Sequence, residues 1–382
     1  MMLQRPYRLH VHTPALLPLS ERMSADHAAT GAGVTIAFID SGFYPHPDIR
    51  GRVRLHVDAT DEIPKISNAR FGRPAWYAWH GQMTSVIACG NGSLSSGRFS
   101  GLASRASMVL VKVSTRTRQI KEPDILRGLR WISENAKAAN IRIVNVSVGG
   151  DFPSDDPEHP LYVQMRQLEA QGVLVVCAGG NGGREHLVPP ASASTALTVG
   201  GYDDLNSPNP GIWQPYHHDF GRDVAGAQKP DILGSARWIV SPFLPGTTAA
   251  SEAVVLASML DAVDSGDERA AQAVLTAHHA MFGLPEAAQL HDPEVIAVLQ
   301  ATIDRLKLVD SAHQFVDGTS VSAAIVSSIA AQMLEVNSGL SLAEIRYVLR
   351  QTAVRFPDYP HERQGAGCIA GAAAVAAVRK SG

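Results

Sequence analysis

The chain has 382 residues, 45% of them hydrophobic and 18% charged, with a formal net charge of −3. These values describe an ordinary soluble globular protein and give no reason to expect nucleic acid or an anionic membrane as partner. Three widely spaced cysteines, Cys89, Cys177 and Cys368, form no CxxC pair and no Cys/His ligand spacing, so neither a disulfide framework nor a zinc site is indicated.

In chain order, the stretch MMLQRPYRLHVHTPALLPLSERM lacks an apolar h-region with a cleavage site and does not read as a signal peptide. Residues 1–29 read as a partly extended lead-in. With an odd number of cysteines, the cytoplasm is the expected location. No apolar run reaches the ~18 residues of a spanning helix. Four runs rich in β-branched residues follow: VTIAFID (34–40), SMVLVKV (107–113), IRIVNVSV (141–148) and GVLVVCA (172–178). Continuous apolar runs of this kind suit parallel strands covered on both faces. Helical stretches at 80–90, 124–140 and 162–171 alternate with them, and Gly172 suits a left-handed cap on the third. The pattern predicts an α/β fold with a doubly wound, mostly parallel sheet and helices on both faces.

Residues 30–382 read as one such domain, interrupted at about 248–312 by an Ala-, Leu- and acid-rich segment expected to form two to four helices. A small-residue helix at 320–337 follows it. The next helix, 341–353, opens with Ser341 and Glu344 in capping-box spacing. In α/β sheets the reactive groups gather where the strands' carboxyl ends open into loops, and four polar residues lie at such ends or at helix starts. Asp40 ends the first strand and is followed by Ser41-Gly42. His80 opens a helix in WHGQMTS. Asn181 follows the fourth strand in CAGGNGG, and Ser320 starts a helix in DGTSVSAA. Taken singly, Asp40 reads equally as a turn residue, His80 as a surface histidine, Asn181 as a left-handed turn residue and Ser320 as an N-cap. Taken together, they are a base, its orienting carboxylate, an oxyanion donor and a hydroxyl nucleophile, the parts of acyl transfer by serine.

In this order the four residues closely resemble the subtilisin-like (subtilase) serine protease family, whose chain order is aspartate, histidine, serine. Asp40 falls in a D-[ST]-G block followed by His46-Pro47-Asp48, and His80 in an H-G block. Gly101-Leu102-Ala103, NVSVGG (145–150), Lys229-Pro230-Asp231, Gly318-Thr319-Ser320 and Gly365-Ala366-Gly367 match further family blocks, so that the likeness runs from about 31 to 376. It implies a serine endopeptidase acting on protein or peptide substrates, with Asp40, His80 and Ser320 as triad and Asn181 in the oxyanion hole. It further implies Ser147, Val148 and Gly149 as one wall of the substrate cleft, with Ala178 and Gly179 also lining it. The alternative is a catalytically silent subtilase scaffold that binds peptides or a partner protein. No cofactor is expected, and the loop at 90–101 carries too few carboxylates for a calcium ion.

Three family positions differ. His80-Gly81-Gln82-Met83 replaces H-G-T-H, Ala324 stands where a proline follows the nucleophile, and Gly179-Gly180-Asn181 replaces A-G-N. None removes a group that does chemistry. An intracellular protease needs restraint, so the 248–312 insertion is expected to limit access or to recruit a regulatory protein partner. The plainer expectation is a helical ornament that only adds stability.

Overall fold

The computed structural model describes residues 3–7, 15–66, 74–115 and 119–379. It divides into two compact units, Met1–Ala15 with Val240–Val316, and Leu16–Ile239 with Asp317–Gly382.

Among the described residues, the larger unit is built on a nine-stranded sheet. Its strands are β1 (Thr35–Asp40), β2 (Val53–Asp58), β3 (Lys65–Ile66), β4 (Ser107–Lys112), β5 (Ile141–Val146), β6 (Leu174–Ala178), β7 (Leu197–Asp203), β8 (Gln214–Pro215) and β11 (Ile232–Ser235). The order is β11-β7-β6-β5-β1-β4-β2-β3, with β8 paired to β7. Among the described residues of this sheet, only β3 and β8 run antiparallel to their neighbours. A separate ribbon joins β9 (Gly221–Arg222) and β10 (Gln228–Lys229). Every residue of β1 is buried, as expected of a strand with helices on both faces.

On one face, α3 (Glu122–Asn135) and α4 (Pro160–Ala170) bury Ile125, Leu129, Ile132, Met165 and Leu168 against alternate strand residues such as Ile39, Val111 and Val144. The intervening residue Asn145 points to the other face, where its Oδ1 accepts the Ser327 hydroxyl of α8 (Thr319–Val336) at 3.1 Å. By length and composition α8 could cross a membrane, but 83% of it is buried inside the protein. Its apolarity is that of a core helix, with α2 (Ala78–Cys89) packed beside it.

Local signals account for most boundaries. Gly172 takes φ +74°, and the N–H groups of Gly172 and Val173 return to the carbonyls of Glu169 and Leu168, ending α4 in a Schellman cap. Ser341 and Glu344 form the expected capping box at the start of α9 (Leu342–Gln351). α3 starts two residues earlier than its expected span and stops at Asn135. Pro123 is accommodated in its first turn, and left-handed Asn140 turns the chain into β5.

A buried ion pair ties the lead-in of this unit to the sheet edge. Arg22, in the single turn α1 (Leu19–Arg22), donates to Asp204 at 2.6 Å and to the Trp238 carbonyl at 2.7 Å. Asp204 also accepts the Ser235 hydroxyl at 2.6 Å.

The smaller unit contains α5 (Thr248–Asp264), α6 (Glu268–His278) and α7 (Pro293–Leu306). Each is capped by a side-chain oxygen, from Thr247, Asp267 and Asp292 respectively. The helices share a core of their own, including Leu256, Met259, Leu275, Leu299 and Ile303, into which Leu3 also packs. Arg5 reaches Asp261 and Asp264 of α5 at 2.8 and 2.5 Å. The strands β12 (Ile239–Pro242) and β13 (His313–Val316) pair where the insertion leaves and rejoins the chain.

Candidate active site

Asp40 is the last residue of β1, which lies between β5 and β4 in the sheet. Its carboxylate has no solvent exposure, a costly state unless donors replace water. Oδ1 accepts the Ser41 N–H at 2.6 Å and meets His80 Nδ1 at 2.7 Å. Oδ2 accepts the Thr84 hydroxyl at 2.9 Å. An ionised carboxylate only accepts, so Nδ1 of His80 carries the proton and Nε2 presents its lone pair.

Close approach of α2 to the end of β1 makes these bonds. A Cβ on Gly81 would sit 2.1 Å from the Gly42 carbonyl oxygen and 2.8 Å from Phe43. Any side chain at position 81 would therefore lift α2, and His80 with it, from Asp40. Thr84 follows His80 by four residues and so faces the same way on the helix.

The second half of the site belongs to α8. Ser320 is its second residue and is 9% exposed. The turn before it is pinned by the Gly318 N–H to the Ala236 carbonyl at 2.8 Å and by Asp317 accepting the Trp238 N–H at 2.8 Å. Inside the helix, Ser322 donates to the carbonyls of Gly234 and Ser235. Helix α8 runs unbroken through Ala324, so the missing proline does not disturb its first turns.

Asn181, just past β6, is bound to this same turn. Its Oδ1 accepts the Thr319 N–H at 2.8 Å, and the Thr319 hydroxyl accepts the Gly180 N–H at 3.0 Å. These bonds orient the exposed Asn181 amide so that Nδ2 remains as an outward donor. A Cβ on Gly318 would lie 3.4 Å from that Nδ2.

The structure thus joins Asp40 to His80, and Asn181 to the Ser320 turn. Among the described residues no hydrogen bond joins His80 to Ser320; such contacts are commonly long without substrate and tighten in the complex. Of the expected cleft residues, Ser147 turns inward, its hydroxyl accepting from Asn145 at 2.9 Å. Val148 packs partly against the core, and Gly149 is exposed, with room for a Cβ limited by Val188 at 3.0 Å. Ala178 ends β6, and the Gly179 N–H is spent on the Val199 carbonyl at 2.9 Å. Thr84 is a site residue that no motif singled out, although a hydroxyl one turn beyond the histidine is a legible spacing.

A family model described as "Subtilase family" matches residues 31–367. The serine protease AprX of Bacillus subtilis is 25% identical over 89% of this chain and 65% of its own length. Subtilisin Savinase of Lederbergia lenta is 30% identical over 47% of this chain and 59% of its own. The chain therefore spans less than two thirds of these relatives. Among solved structures, the protease domain of PatA superposes with a TM-score of 0.61 at 20% identity, covering 92% of this chain and 98% of that one. Sphericase gives 0.61 at 17% identity over 89% and 90%. At these identities the structural likeness speaks for the fold.

Burial of the ring lowers the His80 pKa, while the charge and hydrogen bond of Asp40 raise it and prevail, leaving it above the ordinary value near 6.5. Asp40→Asn removes the raising causes and leaves desolvation unopposed. The His80 Cε1–H resonance should then titrate above 6.5 in the native protein and below it in Asp40→Asn. Identical titrations in the two would contradict the pairing.

Proposed function

The chain belongs to the subtilase family, and from that premise we propose that it is a serine endopeptidase with Ser320 as nucleophile, His80 as base, Asp40 as orienting carboxylate and Asn181 as oxyanion donor. The observation that carries this reading is the 2.7 Å bond from His80 Nδ1 to the fully buried Asp40. With its proton held on Nδ1, the ring accepts the Ser320 proton at Nε2 as Oγ attacks a peptide carbonyl. It then delivers that proton to the leaving amine, and water repeats the cycle on the acyl-enzyme. The oxyanion would lie between Asn181 Nδ2 and the Ser320 N–H, at the start of α8 where the helix dipole favours negative charge. Substrate in extended form would run beside Ser147, Val148 and Gly149 as an added strand, with Ala178 and Gly179 lining the cleft. Because only neutral His80 acts as base, hydrolysis falls as pH drops through its raised pKa.

Restricted activity in the cytoplasm is part of the same proposal. Three unpaired, buried cysteines support the location. A separate helical unit with its own core, rejoining the chain at β13 shortly before Ser320, supports a regulatory role, as a cover or as a dock for a partner protein.

Ser320→Ala should abolish hydrolysis of a denatured protein substrate. Asn181→Ala should lower kcat by about 10²–10³ with little change in KM, a range measured in subtilisin itself. Unchanged hydrolysis by Ser320→Ala would overturn the reading.

The regulatory role has its own test. The Phe243 N–H bonds the Ala312 carbonyl at 2.8 Å, so a short Gly/Ser bridge can replace 244–311, removed together with the N-terminal segment that shares its core. The shortened protein should cleave unfolded substrate faster. A folded shortened form that cleaves no faster and keeps the same partners would refute regulation by this unit.

A further inference from the structure

Thr319 anchors one side of the loop that carries Asn181. The other side closes around Asp219, a residue with 3% exposure that has no part in the reaction as described. The Asp219 N–H donates to the Gly180 carbonyl at 3.0 Å. Its Oδ1 accepts the Arg184 N–H at 2.8 Å, and Oδ2 accepts from the Arg184 guanidinium at 3.2 Å. The next residue, Phe220, donates its N–H to the Arg184 carbonyl at 3.0 Å. Both ends of the segment Gly180–Arg184 are therefore tied to two consecutive residues, and Asn181 lies between the ties.

The carboxylate also occupies the space inside the loop. A Cβ on Gly180 would lie 2.2 Å from Asp219 Oδ2, and one on Gly182 would lie 2.8 Å from Oδ1. Gly180 and Gly183 hold φ values of +104° and +67°, which glycine adopts readily but which it also leaves readily. A glycine-rich loop needs an external template to keep one shape, and a buried carboxylate bonded to its backbone supplies one.

We propose that Asp219 is a positioning residue for the oxyanion hole, acting through the Asn181 loop and not on substrate. This rests on the reading of Asn181 as the oxyanion donor. The backbone bond through Oδ1 is the working contact, because the Arg184 side chain is 59% exposed and its ion pair is weakened by solvent. Asp219→Asn keeps an acceptor for the Arg184 N–H, whereas Asp219→Ala removes it and empties the loop. A displaced donor is costly, since a misplacement of about 1 Å can cost roughly 10²-fold in rate.

The test measures kcat and KM on a peptide substrate for Asp219→Ala and Asp219→Asn, each alone and combined with Asn181→Ala, in full-length protein checked for folding. In the native background Asp219→Ala should lower kcat by about 10- to 10²-fold with KM nearly unchanged, and Asp219→Asn should recover most of the loss. In the Asn181→Ala background neither substitution should lower kcat further, because the group they position is gone. If Asp219→Ala fails to fold, Asp219→Ser, whose shorter side chain withdraws the acceptor from the Arg184 N–H while leaving a smaller void, is measured in the same two backgrounds and decides by the same non-additivity. An equal loss in both backgrounds, or a loss expressed in KM alone, overturns the positioning role while leaving Asn181 as donor. An Asn181→Ala protein with native kcat overturns the oxyanion assignment, and this inference with it.

Discussion

A carboxylate removed from water demands hydrogen-bond donors in exchange, and Asp40 is such a group at the end of a strand buried throughout. Meeting that demand organises the site. Two donors are local, the Ser41 N–H and its hydroxyl, and two come from α2 through His80 and Thr84. Helix α2 must therefore lie against the end of β1, so closely that only glycine fits at position 81. The same contact fixes which histidine nitrogen carries the proton. Satisfaction of a buried charge and orientation of the His80 ring are, in this protein, one arrangement of atoms.

The other half follows from a different constraint. Helix α8 is buried over nearly its whole length, so its start cannot shift without disturbing the core. Its small residues let it lie close on β11, where a Cβ on Gly234 would sit 2.9 Å from the Ser322 carbonyl oxygen. Its N-terminal N–H groups lack partners within the helix; that of Thr319 is taken by Asn181, which binds the loop after β6 to the serine turn. An oxyanion site is useful only if its donors are in place before charge develops. The loop that carries Asn181, the proposed donor, is fixed from two sides, by Thr319 and by Asp219.

Much of this was legible in the sequence because it rests on local rules. The four long apolar runs became β1, β4, β5 and β6, and the turn residues at their ends became the places where Asp40 and Asn181 sit. Elements that depend on tertiary context were not legible. Strand β7 is wholly buried yet carries Gly200 and Gly201, residues that weaken a strand signal. They are needed because Leu233, His218, Ala236 and Tyr216 press against that strand. Asp219 gave no signal, since an aspartate among histidines and aromatics reads as a surface loop residue. Its partners lie 35 and more positions away in the chain. The span of α3 was overestimated for a related reason. Ala136–Asn140 has helical composition, and the left-handed turn at Asn140 answers to where β5 must begin.

In the proposed enzyme these two halves meet as one reactive site, with a serine activated by His80. The most direct test is labelling of the purified protein with a fluorophosphonate at neutral pH, read by intact mass beside Ser320→Ala. One adduct is expected on the native protein and none on the variant, because only a serine whose proton is drawn to a neighbouring base attacks phosphorus at a useful rate. A folded native protein that takes no adduct, or an adduct that persists in Ser320→Ala, would contradict it.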